Sequence, residues 1–146
     1  MTSLRAFRPD DWQVVVKYHY PGMGQDDALK LIDDFNAPTY QGKFHKLKAI
    51  DSDRQVVGYV SLIEQAEGVV SAGVEVYAPF RRQGYAYAAL LQLFALSKLH
   101  NYHTVSAQVR KDNTASLSLC KKVGLTIVKE SVSKRGHPVY NLTKSI

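Results

Sequence analysis

The chain has 146 residues, of which 45% are hydrophobic, so we expect one domain, residues 1–146, that buries a core without crosslinks. A formal net charge of +6 favours anionic partners such as phosphates or nucleotides. The only cysteine, Cys120, excludes an internal disulfide, and the lack of a Cys/His cluster predicts no structural zinc and no other metal site.

The hydropathy pattern bears on where the protein works. The stretch MTSLRAFRPDDW lacks the apolar core of a signal peptide, and no run of about 18 apolar residues occurs anywhere. We therefore expect a soluble cytoplasmic protein with no membrane partner. No Gly/Ser linker, charge block or internal repeat divides the chain, which agrees with one domain.

The first 40 residues predict one short strand followed by two helices. The stretch SLRAFR alternates and is closed by Pro9, which predicts the strand, and Asp10 or Asp11 can cap the helix that follows. The Pro and Gly residues from Pro21 onward end that helix. In QDDALKLIDDFN the apolar residues recur at helical spacing, which predicts the second helix.

Three strands and a long helix are predicted in the middle of the chain. The strands begin at Phe44, Gln55 and Val69, and the short turns DSDRQ and QAEG between them indicate consecutive antiparallel hairpins. From Gly84 the period changes, because apolar residues now recur at helical spacing. This predicts an amphipathic helix that ends near His100.

The last third predicts a strand, a helix and two closing strands. TVSAQVR reads as a strand, the next helix is capped by Asn113 and ended by Gly124, and LTIVKESV and HPVYNLTK close the chain. The order is βααβββαβαββ. The long helix permits one parallel crossover, whereas tightly joined strands must be antiparallel. We predict an α+β (mixed α/β) fold: a twisted, mixed, mostly antiparallel sheet flanked by about four helices.

The junction VEVYAPFRRQGYAYAALL joins the third hairpin strand to the long helix. The first N–H groups of a helix have no internal acceptors and lie at the positive end of its dipole, which favours an anion. Gly84 and Ala86 leave the backbone accessible to a diphosphate, and Arg81 and Arg82 can supply charge-assisted hydrogen bonds. A helix that merely follows a loop with two solvated arginines explains these residues equally well.

Two motifs resemble one known family. Arg81-x-x-Gly84-x-Ala86 resembles the [Q/R]-x-x-G-x-[G/A] acyl-CoA signature of the GNAT N-acetyltransferase superfamily, and it lies in the required strand-loop-helix context. The segment VRKDNTASLSLCKKVGL resembles the family's second cofactor segment, in which an Asn begins a helix that closes with Lys-x-Gly-[Phe/Leu]. Element order and length also fit, so the resemblance covers essentially the whole chain. Neither a P-loop nor a Rossmann motif is present.

The resemblance implies acetyl transfer from acetyl-CoA to a primary amine of a small molecule, peptide or protein, with no metal. It implies pantetheine pairing at 76–78 and a diphosphate over 82–86, with Arg81 at its edge. Asn113 and Ser116 match positions that reach the pantetheine or acetyl end, although Asn113 is also an ordinary helix cap. The implied cofactor-binding residues are Val76, Tyr77, Ala78, Arg81, Arg82, Gln83, Gly84, Tyr85, Ala86, Asn113 and Ser116.

Direct attack on a thioester needs a neutral amine, a donor for the oxyanion and a proton for the departing thiolate. The backbone N–H of Val76 or Tyr77 can serve as the donor. Glu75 is the first candidate base, because strand alternation puts Glu75 and Tyr77 on one face. A solvated or ion-paired glutamate is the alternative reading, and Glu64 is a weaker candidate.

Two positions depart from the family pattern. Cys120 stands where many members have a Tyr that protonates the thiolate; a thiol can donate a proton, but a small buried core residue is the alternative. Gln108 stands where some ribosomal-protein N-terminal acetylases place a glutamate base, which disfavours that mechanism. His100 and His103 flank a turn, where a surface role is expected rather than a metal site.

The acceptor is not identified by any motif. His19 lies between Tyr18 and Tyr20 at the end of the first helix, where GNAT folds commonly form the acceptor pocket, so these residues, and Tyr140 on the last strand, are acceptor-side hypotheses. The competing reading is a GNAT-like module that binds acyl-CoA without turnover. The basic residues are scattered, so no nucleic-acid partner is expected. We expect a monomer or a homodimer.

Overall fold

The helices and strands follow one another in the order that the sequence predicts, with one addition. The computed structural model describes residues 1–146. The strands are β1 (Thr2–Arg5), β2 (Thr39–Tyr40), β3 (Lys43–Ser52), β4 (Gln55–Ala66), β5 (Val69–Val76), β6 (Thr104–Arg110), β7 (Thr126–Val132) and β8 (Pro138–Ser145). The helices are α1 (Trp12–Tyr18), α2 (Gln25–Phe35), α3 (Tyr85–Leu99) and α4 (Thr114–Lys122). The addition is β2, a two-residue strand between Pro38 and Gly42, two residues that are typical of loops.

Strand order confirms the predicted mixed, mostly antiparallel sheet. The order is β1-β3-β4-β5-β6-β8-β7, with β2 beside β3. All pairs are antiparallel except β5 with β6, which are parallel and joined through α3. None of the helices is both long and apolar enough to cross a membrane.

The parallel pair β5 and β6 diverges soon after it begins. Only three residue pairs align, the last being Ser71 with Ser106. Beyond that point β5 continues to pair with β4 as far as Val76, and β6 pairs with β8 as far as Arg110. The facing edges of the two strands are therefore left without a ladder, and the gap opens at the carboxyl ends of both strands.

Each face of the sheet is covered by its own apolar cluster. On one face α3 and α4 pack on the strands through residues such as Leu93 and Cys120, and on the other α1 and α2 pack through Val15 and Ile32. Because side chains alternate along a strand, Val74 and Val76 of β5 contact the first cluster while Tyr77 belongs to the second. The end of β5 therefore presents groups to both faces.

A partly buried ion-pair network fixes the start of α1 against the sheet. Arg5 contacts Asp11 and Asp51, each at 2.7 Å, and the Arg8 N–H donates to Asp11 at 2.7 Å. Burial tends to raise the pKa of Asp11, but the hydrogen bonds from Arg5 and Arg8 outweigh it and lower the pKa below its usual value. Of the two predicted caps, Asp10 and Asp11, it is Asp11 that holds the cap position of α1, but its carboxylate accepts hydrogen bonds from Arg5 and Arg8 and makes none to that helix.

Candidate active site

Helix α3 begins with free backbone donors. Gly84 is the cap residue, one position before the helix, with φ of +82° in the left-handed region, and nothing lies within 4 Å of where a β-carbon would be. Gly84 therefore lies just before the first turn of α3. The first helical hydrogen bond runs from the Ala88 N–H to the Gly84 oxygen at 3.2 Å, while the N–H groups of Tyr85, Ala86 and Tyr87 have no partner.

These donors line a cavity that also contains three cations. We call it the helix-start cavity; its volume is about 500 Å³. Arg81 and Arg82 come from the loop before α3, and Lys122 comes from α4, so sequence reasoning missed Lys122. Gln83 is exposed and lies outside the lining. The lining residues are Val76, Phe80, Arg81, Arg82, Gly84, Tyr85, Ala86, Tyr87, Ala115, Leu119 and Lys122.

Arg81 joins this cavity to the end of β5. Its Nε donates to the Val76 carbonyl at 2.9 Å, and its Nη2 lies 3.1 Å from the Glu75 carboxylate. The Glu75 side chain is 49% exposed. Glu75 is therefore ion-paired, which is the alternative to a role as base.

The gap between β5 and β6 forms a second cavity, the interstrand cleft, with a volume of about 130 Å³. Leu119 lines both this cleft and the helix-start cavity, so the two cavities are neighbours. Ser116 and Cys120, one turn apart on α4, face the cleft, as does Gln108 of β6. The lining residues are Ala72, Gly73, Val74, Leu90, Ala107, Gln108, Val109, Ser116, Leu119, Cys120 and Leu125.

Backbone direction decides which donors of β5 face the cleft. The Tyr77 N–H donates to the Val57 carbonyl at 2.9 Å, toward β4. Because N–H groups alternate along an antiparallel strand, those of Val74 and Val76 point toward the cleft. Tyr77 is therefore excluded as the oxyanion donor, whereas Val76 retains that geometry. Ala78 also leaves the strand, since a 3₁₀ turn spans Ala78–Phe80; the free edge is Ala72–Val76 rather than 76–78.

Helix α4 brings its polar residues to the cleft through an ordinary cap. Asn113 Oδ1 accepts a hydrogen bond from the Ser116 N–H at 3.1 Å, which confirms Asn113 as the cap residue. Cys120 is 6% exposed, and burial raises the pKa of its thiol, so the thiol is protonated at neutral pH. Gln108 donates to Asn141 at 3.3 Å.

A third cavity, the tyrosine pocket, lies on the opposite face of β5. Its volume is about 280 Å³. The rings of Tyr18 and Tyr77 are stacked, with centroids 4.2 Å apart and an interplanar angle of 7°, and His19 Nε2 lies 2.5 Å from the Tyr77 hydroxyl. The lining residues are Tyr18, His19, Tyr20, Tyr59, Glu75 and Tyr77. Sequence reasoning missed Tyr59, which pairs with Glu75 across β4 and β5.

Two other residues from the sequence analysis lie elsewhere. Tyr140, on β8, is outside the pocket and packs beside Lys111, whose ammonium is 5.1 Å from the ring centroid. Glu64 accepts a hydrogen bond from the Tyr102 hydroxyl at 2.6 Å and pairs with Val70, near the start of β5. Five residues of strand, roughly 17 Å, separate that position from Glu75.

Burial sets the protonation states in the tyrosine pocket. Desolvation lowers the pKa of His19, which keeps its imidazole neutral at physiological pH. Desolvation raises the pKa of both Tyr77 and Tyr59, so both phenols stay protonated. No group of three or more His, Cys, Asp or Glu side chains is arranged to hold a metal.

A comparison with models of known families shows which family this chain belongs to. The model of the acetyltransferase (GNAT) domain matches residues 3–126. The chain belongs to the GNAT acetyltransferase family. Its Gly84 cap and the free donors after it lie within the matched range, as does the whole interstrand cleft. No curated protein shows significant sequence similarity to this GNAT chain.

Solved structures share the GNAT fold at low identity. A ribosomal L7/L12 α-N-protein acetyltransferase in complex with coenzyme A is 17% identical, with 99% of this chain and 94% of that chain covered and a TM-score of 0.83. A Salmonella typhimurium acetyltransferase that modifies the N-terminal serine of L7/L12 is 16% identical, with 99% and 95% covered and a TM-score of 0.81. The Vibrio cholerae spermidine N-acetyltransferase with CoA and spermine is 16% identical, with 99% and 95% covered and a TM-score of 0.78.

Proposed function

We propose that this GNAT chain transfers an acetyl group from acetyl-CoA to a primary amine of a small molecule, peptide or protein, by direct attack of the amine. One observation carries the proposal. The helix-start cavity, with its free N–H groups, and the interstrand cleft are neighbours that share Leu119, and the tyrosine pocket lies on the other face of the same strand, β5. A donor molecule and an acceptor could thus approach one strand end from two sides.

The residues of the helix-start cavity suit the diphosphate of CoA. Three unpartnered N–H groups, those of Tyr85, Ala86 and Tyr87, point out of the helix start, where the dipole is positive. Because Gly84 has no side chain, phosphate oxygens have room beside it, and Arg81, Arg82 and Lys122 supply positive charge. Along the free edge Ala72–Val76 the backbone N–H and carbonyl of Val74 and the N–H of Val76 are available to the amides of the pantetheine arm, whereas the Val76 carbonyl already accepts a hydrogen bond from Arg81. When bound, acetyl-CoA supplies an acyl thioester.

Two groups at the cleft have the chemistry for the reacting end. The Val76 N–H points into the gap between β5 and β6, where it can stabilise an oxyanion. The Cys120 thiol is protonated and lines the same cleft, so it can give a proton to the departing thiolate. Cys120 also packs in the apolar core, and that structural role alone accounts for its burial.

The acceptor enters the tyrosine pocket in this proposal. Tyrosine faces and a carboxylate, Glu75, attract an ammonium group. The related structures point to primary amines of two kinds, a polyamine and a protein amino terminus. The pocket lining contains one carboxylate, and it already pairs with Arg81, so a singly charged amine suits it better than a polyamine.

The test is acetyl transfer by the purified chain. Acetyl-CoA is combined with polyamines, aminoglycosides, amino acids and peptides with free amino termini, and CoA release is followed with a thiol reagent. A reaction without acceptor corrects for hydrolysis and for labelling of Cys120, and mass spectrometry confirms the acetylated product. If the chain binds CoA but no amine accelerates CoA release, it is instead a binding module without turnover.

A further inference from the structure

We propose that Tyr77 and His19 form the proton-accepting pair for the attacking amine, with the Tyr77 hydroxyl taking the proton and passing its own to His19 Nε2. This inference rests on the proposed function, because it concerns the same acceptor pocket. Tyr77 is the catalytic residue in the scheme, and His19 acts through it. Sequence reasoning assigned the role of base to Glu75 instead.

The two side chains are held together in one orientation. The distance of 2.5 Å between His19 Nε2 and the Tyr77 hydroxyl is a short hydrogen bond. Tyr77 is buried and stacks on Tyr18, and the His19 ring packs against Phe35 at 5.9 Å and Tyr59 at 4.9 Å between centroids. Packing on both rings keeps the hydroxyl and Nε2 aligned, so a proton can pass between them without a side-chain rearrangement.

The groups around His19 keep it neutral and thus able to accept a proton. The charge of Asp11 acts on Tyr77 from further away. The groups that face the pair are the ring of Phe7 before α1, Tyr18 at the end of α1, Tyr20 after that helix, Phe35 of α2, Tyr59 of β4 and Glu75 of β5. No carboxylate hydrogen-bonds the imidazole. Burial therefore lowers the pKa of His19 without a compensating charge.

Glu75 is less suited to the same step. Its carboxylate is half exposed and already forms an ion pair with Arg81 at 3.1 Å, so it is not free to take a proton from the amine. A carboxylate held in this way can still attract an ammonium group to the pocket mouth. Binding of the cation and removal of its proton are then performed by different groups.

The proton transfer balances without any further reactant. The free amine attacks the acyl carbon, and as the new C–N bond forms its N–H becomes acidic. That proton moves to the Tyr77 oxygen while the Tyr77 proton moves to His19 Nε2, so the phenol is regenerated and one imidazolium forms. The imidazolium then loses its proton to solvent, since His19 is only partly buried.

The pair requires an unprotonated His19 Nε2, and this can be measured on the protein without any acceptor. Nitrogen NMR of the imidazole should show Nε2 unprotonated and accepting a hydrogen bond, with the proton on Nδ1, and Tyr77→Phe should shift the Nε2 resonance. If Nε2 carries the proton in the neutral imidazole, the transfer cannot occur in this direction and the proposal fails, whatever the turnover of the enzyme.

The pair also requires a neutral His19 during turnover, and a pH profile with an amine that the enzyme acetylates tests this. The logarithm of kcat/KM should rise with a slope of two below the pKa of His19, because both the amine and His19 must lose a proton, and with a slope of one above it. His19→Gln and Tyr77→Phe should lower kcat/KM by about 10²–10⁴-fold and leave a slope of one throughout. A slope of two that persists in His19→Gln would overturn the pair.

Tyr59→Phe is the matched control, because it removes a hydroxyl without a hydrogen-bond partner from the same pocket. Whatever its rate, it should keep the slope of two. Loss of that slope in Tyr59→Phe as well would mean that the profile reports the pocket as a whole, against the pair. Absence of turnover with every amine would contradict the proposed function, and the NMR result would then decide the pair on its own.

Discussion

Filling the space beside Gly84 should separate cofactor binding from stability. The perturbation is Gly84→Trp, which projects a side chain into the helix-start cavity where the diphosphate is proposed to bind. Gly136→Trp is a matched control. Gly136 has φ of +84° against +82° for Gly84, and neither has any atom within 4 Å of the β-carbon position, but Gly136 lies in the turn between β7 and β8.

The expected magnitudes follow from the two backbones. A residue with a β-carbon in the left-handed region costs about 1–2 kcal/mol, so both variants should lose that much stability, or roughly 2–8 °C in Tm for a domain of this size. In Gly84→Trp the diphosphate also loses access to the N–H groups of Tyr85 and Ala86. Two charge-assisted hydrogen bonds are worth about 3–6 kcal/mol, which corresponds to a CoA affinity lower by about 10²–10⁴-fold.

Calorimetry gives both quantities on the same samples. Differential scanning calorimetry measures Tm, and isothermal titration with CoA measures Kd for the wild type and both variants. Equal losses of Tm with a loss of CoA affinity only in Gly84→Trp would support the placement of the diphosphate. A folded Gly84→Trp that binds CoA within about threefold of the wild type would refute it, because the free donors would then not be the ones that hold the cofactor.

Three further results are expected. A β-carbon at Gly58 would lie 2.1 Å from the Glu75 carbonyl oxygen. Gly58→Ala should therefore lower the free energy of unfolding, measured by chemical denaturation, by about 1–3 kcal/mol, and should also lower kcat/KM for the acceptor. Unchanged stability would mean that β4 and β5 separate easily at this position. Because the folded protein lowers the pKa of Asp11, its ionised carboxylate stabilises the fold above the unfolded pKa of about 3.9, and this stability is lost as the pH falls through the lower folded pKa. The difference in free energy of unfolding between the wild type and Asp11→Asn should therefore decrease below about pH 4, as measured by denaturation at several acidic pH values. Cys120→Ala should lower turnover more than CoA affinity if the thiol protonates the leaving group, and equal turnover would leave Cys120 a core residue.

Local pattern was sufficient to predict the order of the elements, and it failed where strand pairing decided the outcome. The resemblance implied a pairing edge at 76–78, but the strand ends at Val76, and the chain turns there as the Phe80 N–H donates to the Tyr77 oxygen at 2.8 Å. Tyr59 was missed since its place opposite Glu75 depends on register, and a register shift elsewhere on the same pair lies between Glu64 and Ala66. Such irregularities change which residues face each other and leave no mark in an alternating sequence.

The sequence by itself determined that a helix starts next to Gly84 and that Asn113 caps α4, because glycine freedom, caps and helical period act over a few neighbouring residues. Only the tertiary structure decided the divergence of β5 from β6 after Ser71, and the meeting of His19 with Tyr77, which are 58 positions apart. Contacts at that separation depend on how two helices pack on one face of the sheet. The helix start where the cofactor is proposed to bind could therefore be predicted from the sequence, while the pocket proposed for the acceptor is formed only by the fold.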